Sequence, residues 1–208
     1  IKGVSGKSPL INFAPNKNHL SHSIVDAFLS HQAVKNDKFG AYNNPMYDNW
    51  YDYYEQFFAT IYSFSTEKYN KGQLSKTVLD ALELVKMNFD MLFGNIICQA
   101  CLCHGDFWMP NLIVDLAKSE LAGVVDPFNM LWAEPEYELF TLTVGYGEKL
   151  KLYDIYKSKT QVSGYCDIKV EIYALCNELD WYSVLGEIDH NYLEFRAKRV
   201  IEQFNRIK

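Results

Sequence analysis

Hydrophobic positions along this chain follow two different rhythms. Outside a central stretch they recur every three or four residues, the period of a helix that buries one face. The first such run, about Leu20 to Val34, sets Ile24, Phe28 and His31 on one side. Residues 1–17 are polar and turn-rich, and Asn36 to Pro45 reads as loop. A second run, about 47–65, carries Trp50, Tyr54, Phe57, Ile61 and Phe64 at spacings of 4, 3, 4 and 3. A third, about 76–93, repeats this with Val78, Leu82, Val85, Phe89 and Leu92; Ser75 suits its cap and Gly94 its end. Helical spacing resumes at about 136–145, 148–159, 166–185 and 190–207. The 166–185 run is apolar on more than one side and is predicted to be the most buried helix. The last run aligns Leu193, Ala197, Val200, Phe204 and Ile207. In the middle, Ala100–Cys103, Leu112–Val114 and Leu121–Val125 are short apolar runs, and the polar turn Asp115–Glu120 joins the last two into a hairpin. The pattern predicts a mainly α fold with a small β-hairpin insert.

Composition narrows the function. With 49% hydrophobic and 22% charged residues, the 208-residue chain is no disordered tail. A net charge of −6 argues against nucleic acid as the main partner, because phosphate binding needs a basic face. No apolar run approaches the ~20 residues of a membrane span, and the first residues hold no apolar signal core. Five cysteines, an odd number without framework spacing, point to free thiols in a reducing, cytoplasmic setting.

Several motifs have plain readings. Cys98, Cys101, Cys103 and His104 look like zinc ligands, yet Cys101 and Cys103 face the same side of one strand and no second ligand pair follows. They read as small buried residues. Gly3 to Ser8 holds two residues between its glycines where a phosphate loop needs four, so it reads as a turn. Ten aromatics crowd Tyr42 to Phe64. Those on the helical stripe read as core, whereas Tyr51, Tyr53 and Phe58 are either core or the lining of a cleft for an apolar or sugar-like ligand. Glu134, Glu136 and Glu138 read as a solvated acidic face.

The most specific signal is LCHGDFWMPNLIV followed by LAGVVDPF. Asn111 enters the first hairpin strand and Asp126 leaves the second, and in an antiparallel hairpin those ends are neighbours. A carboxylate and an amide oxygen therefore converge, which suits a hard cation such as Mg²⁺. Asp106 lies on the same loop as Asn111. A base beside two oxygen ligands for Mg²⁺ is the layout phosphoryl transfer requires.

His104-Gly105-Asp106 with Asn111 and then Asp126 resembles the catalytic core of the aminoglycoside phosphotransferase and choline kinase group, small-molecule kinases with a protein-kinase-like α+β fold. Trp108 and Asp126-Pro127 look closest to the fructosamine kinase branch. The resemblance implies that Asp106 orients or deprotonates the acceptor hydroxyl. It implies that Asn111 and Asp126 hold Mg²⁺ and ATP, and that His104, in the same catalytic loop, fixes its shape without carrying a proton. Glu138 would brace that loop where the family has Asp. Pro110 stands where that branch usually has Gly, and Pro127-Phe128 is not the protein-kinase D-F-G.

The resemblance spans nearly all of residues 1–208, but as the helical C-terminal lobe alone. The N-terminal nucleotide lobe, with its Gly-rich loop and strand Lys, is expected outside this chain, in about 80–100 further residues upstream. Ile1-Lys2-Gly3 resembles the stretch just after the hinge between lobes. This stretch by itself is therefore expected not to transfer phosphate, and its Asp126–Phe128 loop is expected to be exposed and apolar. The implied acceptor is a small hydroxylated molecule: a sugar, a ketosamine or an amino sugar. The competing expectation is a non-catalytic kinase-like module that holds a ligand or partner; the complete Asp106, Asn111, Asp126 set favours the enzyme.

Overall fold

The structure, a computed structural model, describes residues 4–5, 11–12 and 14–207. The Gly3–Ser8 turn, apart from residues 4 and 5, and the hinge-like Ile1-Lys2-Gly3 lie outside them. The chain forms two compact units, Ile1–Met46 with Cys98–Val162, and Tyr47–Ile97 with Ser163–Lys208.

The first unit holds α1 (Lys17–Gln32), short strands β1 (Val4–Ser5), β2 (Lys35–Asn36) and β3 (Gly40–Ala41), then β4 (Ala100–Cys103), β5 (Leu112–Asp115), β6 (Glu120–Val124) and β7 (Leu131–Ala133). Its α1 begins earlier than its apolar pattern because Asn16 caps it, accepting from the His19 N–H at 3.0 Å. The hairpin of β5 and β6 forms as expected, with a bulge between Ile113 and Val114, and β1 adds to it. A second antiparallel sheet, ordered β2-β4-β7-β3, was not legible in the sequence. Three of its strands are two or three residues long, too short to show a period, so the loop expected over Asn36–Pro45 and the untyped stretch at 131–133 are both strand in part.

Helix 136–145 is corrected to a 3₁₀ turn, Tyr137–Thr143, with Tyr137 N–H bonded to the Glu134 carbonyl. Helix 148–159 divides into α5 (Tyr146–Lys149) and α6 (Leu152–Lys159). The acidic run is corrected too. Glu134, Glu136 and Glu138 are 3%, 6% and 3% exposed, so none forms a solvated face.

The second unit holds α2 (Trp50–Asn70), α3 (Lys76–Met87), α4 (Phe89–Phe93), α7 (Cys166–Leu185) and α8 (His190–Ile207). The expected 76–93 helix breaks at Asn88, whose side-chain amide bonds back to the Leu84 carbonyl at 2.8 Å and competes with the helix ladder. On α2 the buried stripe is Trp50, Tyr54, Phe58, Ile61 and Ser65; Phe57 and Phe64 are only half-buried. Adjacent aromatics satisfy the same apolar pattern, so periodicity alone could not choose between Phe57 and Phe58. Trp50 donates from Nε1 to the Tyr173 hydroxyl at 2.9 Å, and Tyr54 and Phe93 pack their rings 4.9 Å apart. As expected, α7 is buried on several sides. Tyr51 and Phe58 also line a surface cleft of about 380 Å³, whereas Tyr53 does not. Among the described residues no cysteine forms a disulfide, and no helix is long and apolar enough to cross a membrane.

Candidate active site

Everything singled out at the His104–Asp126 motifs lies in the first unit. Strand β4 ends at Cys103, and the chain turns sharply at Gly105, where φ is +81°. A Cβ there would sit 1.8 Å from the Phe128 carbonyl oxygen and 2.8 Å from the Asn129 carbonyl carbon. The Gly105 turn therefore lies flat against the backbone that follows Asp126, and only glycine allows that approach. Gly105→Ala should displace one loop or the other. The left-handed backbone alone costs about 1–2 kcal/mol with a Cβ present, and the collision adds to it. A lowered melting temperature with lost nucleotide binding is the expected result; an unchanged protein would mean the two loops are not so tightly packed.

Asp106 and Asn111 meet directly. The Asn111 amide Nδ2 donates to the Asp106 carbonyl at 2.9 Å and to its carboxylate Oδ2 at 2.6 Å. Burial pushes the Asp106 carboxyl above its ordinary value, against the stabilising pull of Asn111, His104 and the Trp108 side chain. Asn111 pairs across the hairpin end, its carbonyl accepting from the Val125 N–H at 2.9 Å. This brings Asp126, exposed and at φ +59°, to the mouth of the same site. Because the Asn111 amide nitrogen is committed to Asp106, its remaining oxygen, with the Asp126 carboxylate, makes a hard all-oxygen pair. That donor chemistry fits Mg²⁺.

Glu138 supports the loop from beneath. Its carboxylate accepts from the backbone N–H of His104 at 3.0 Å and of Phe107 at 3.2 Å, and from Gly105. Burial raises its pKa to about 7, opposed by those backbone bonds. A pKa above the unfolded 4.5 means that the folded protein binds the extra proton. The stabilisation it brings is full below about pH 4.5 and is lost as pH rises through about 7. Relative to Glu138→Gln, the parent should lose stability on the order of 3 kcal/mol between pH 4.5 and pH 7.5. Thermal melts across that range check this, and parallel curves would contradict it.

His104 is 6% exposed, and burial lowers its pKa. It lies inside the loop as a structural ring. Val125 and Phe128 are 45% and 43% exposed, so the Asp126–Phe128 loop is apolar at the surface as expected, and Trp108 beside it is 41% exposed. Two contacts of the site were not read from the sequence. The Trp108 side chain bonds the Asp106 carboxyl, and His31 stacks on His104 at 6.0 Å. Only the position of His31 on the buried face of α1 hinted at the second.

A glycine turn braced from beneath by Glu138, with an Asp106–Asn111 pair at a hairpin end, carried on a mainly helical fold, matches what the resemblance to protein-kinase-like small-molecule kinases implied. The sequence profile of the fructosamine kinase family matches residues 31–206, and the chain belongs to that family. The protein YcbJ of Escherichia coli K12, whose function is uncharacterised, is 28% identical over 144 residues, covering 68% of this chain and 48% of YcbJ. The chain thus spans about half the length of the curated relatives it matches. Among solved structures, a putative fructosamine-3-kinase from Thermobifida fusca superposes with a TM-score of 0.66 at 17% identity, over 90% of this chain and 66% of that one. Aminoglycoside phosphotransferase APH(4)-Ia, in a thermostable mutant form, superposes with a TM-score of 0.69 at 16% identity, over 97% and 69%. These likenesses show the fold.

Proposed function

We propose that this chain carries the catalytic loop and metal ligands of an ATP-dependent phosphotransferase. It would move the γ-phosphate of Mg²⁺-ATP to a hydroxyl of a small sugar, ketosamine or amino sugar. The observation that carries the reading is the joined set at one hairpin end: Asp106 held by Asn111 at 2.6 Å, Asp126 beside them, and Glu138 beneath. In this reading Asp106 accepts the acceptor's hydroxyl proton as its oxygen attacks the γ-phosphorus. Asn111 and Asp126 would hold Mg²⁺, and the bound ion would supply positive charge beside the phosphates. A base raised toward neutrality by burial is better matched to proton transfer than a free aspartate. Membership of the fructosamine kinase family supports a ketosamine hydroxyl as the first acceptor to test. APH(4)-Ia has been crystallised with AMP-PNP and hygromycin B, which supports an amino sugar as the second.

The test is a screen of the full-length protein for ADP release with hydroxylated acceptors, ketosamines first. Mg²⁺-dependent ADP release with one acceptor class, well above the acceptor-free rate, is expected. No stimulation by any sugar, ketosamine or amino sugar would contradict the proposal.

A further inference from the structure

Two buried imidazole nitrogens remain unexplained by the site above. His31 of α1 and His104 lie ring against ring, centroids 6.0 Å apart and planes 28° apart. Phe107 sets its ring on edge against both, at 5.6 and 6.0 Å. The Nδ1 atom of each histidine is buried and has no hydrogen-bond partner. A neutral imidazole tolerates this when its bare nitrogen is the buried one; an imidazolium carries N–H on both nitrogens and would bury a donor with no acceptor. The stack therefore favours two neutral rings. Burial lowers the pKa of His31. For His104 burial acts first and the neighbouring His31 second, against the opposite pull of Asp106 and Asp126.

Several charged groups on the elements around α1 have partners of their own. Glu120 of β6 pairs with His19 at 2.9 Å, Lys159 of α6 pairs with Asp26, and Glu138 faces the loop's backbone N–H groups. Cys101 and Cys103 of β4 are buried thiols, and their mutual hydrogen bond, with burial second, pushes the Cys103 thiol well above its ordinary value. Tyr156 of α6 directs its hydroxyl to Gln32 at 3.0 Å.

We infer that His31 is a positioning residue for the catalytic loop: stacked as a neutral ring on His104, it fixes that ring and the Gly105–Asp106 turn, and protonation of the pair releases the turn. The inference rests on the reading of Asp106 as the base, but its first test does not need turnover. In the full-length protein, nitrogen-resolved NMR should follow both imidazoles and the Gly105 and Asp106 amides against pH. The amides should move together with the imidazoles. In His31→Phe, which keeps a ring and removes its titration, His104 should titrate at higher pH because its like-charged neighbour is gone. An unmoved His104, or amides indifferent to the imidazoles, would overturn the inference.

The second readout is Mg²⁺-ATP turnover. His31→Ala should lower kcat roughly 10-fold or more through a misplaced loop, with KM for ATP unchanged. His31→Phe should recover most of that at pH 8 and lose part of the acid limb. Equal losses in both variants with an unmoved acid limb would make His31 a packing residue and overturn the inference. Where His31→Ala fails to fold, His31→Phe carries the test alone. If neither parent nor variants turn over ATP while the NMR coupling holds, the phosphotransferase reading falls and the coupling between ring and turn stands.

Discussion

Asp106→Asn should leave the protein folded and reduce phosphoryl transfer by roughly 10²-fold or more, the usual loss for a positioned proton acceptor. The substitution preserves size. It also preserves an oxygen that can accept from the Asn111 amide, the bond that measures 2.6 Å in the parent. It removes the ability to take a proton from the attacking hydroxyl. The effect should therefore fall on kcat, with KM for ATP little changed and the melting temperature close to that of the parent. Since burial holds the Asp106 carboxyl above its ordinary value, the parent's acid limb should include its protonation. That limb should lose one titrating group in the variant. Near-parental turnover would remove Asp106 from the chemistry.

Asp126→Ala is expected to act on the metal. Asp126 is exposed at the hairpin end and makes no hydrogen bond among those of the described residues that hold the catalytic loop. Its loss should leave the Asp106–Asn111 pair and the Glu138 brace in place. What disappears is one of the two oxygen ligands proposed for Mg²⁺. Because Mg²⁺ binds through few protein carboxylates and relies on nucleotide phosphates for the rest, losing one raises the metal requirement steeply. Transfer should drop by roughly 10²-fold or more at millimolar Mg²⁺, as for loss of a group that stabilises phosphoryl charge, and higher Mg²⁺ should recover part of it. Binding of the acceptor should change little. An unaltered dependence on Mg²⁺ would assign Asp126 another role.

Much of this was legible in the sequence because the signals were local. The hairpin followed from two short apolar strands and a polar turn, and its antiparallel geometry alone placed Asn111 next to Asp126. The long helices α7 and α8 were readable because their apolar stripes persist over several turns. What escaped lacked a local signature. Strands β2, β3 and β7 are too short to display alternation, and they pair at long range, β2 and β7 with β4 and β3 with β7. The break at Asn88 depends on one side-chain bond to a backbone carbonyl. Glu134 and Glu136 looked solvated because a charged residue is seldom buried. Glu138 was placed by resemblance as the loop brace, although its charge within an acidic run suggested surface. His31 reaches the site from a distant helix, and no spacing rule joins it to His104; Trp108 lies two residues from Asp106, but the direction of its side chain is not set by that spacing.

In the proposed function Asp106, Asn111 and Asp126 form one phosphoryl-transfer site. The most direct measurement is transfer of labelled γ-phosphate from ATP to a ketosamine by the full-length protein and its Asp106→Asn variant, each with and without Mg²⁺. The account predicts a labelled phospho-product from the parent only with Mg²⁺, and roughly 10²-fold less from the variant. Label transfer that persists in Asp106→Asn, or that proceeds without a divalent cation, would contradict it.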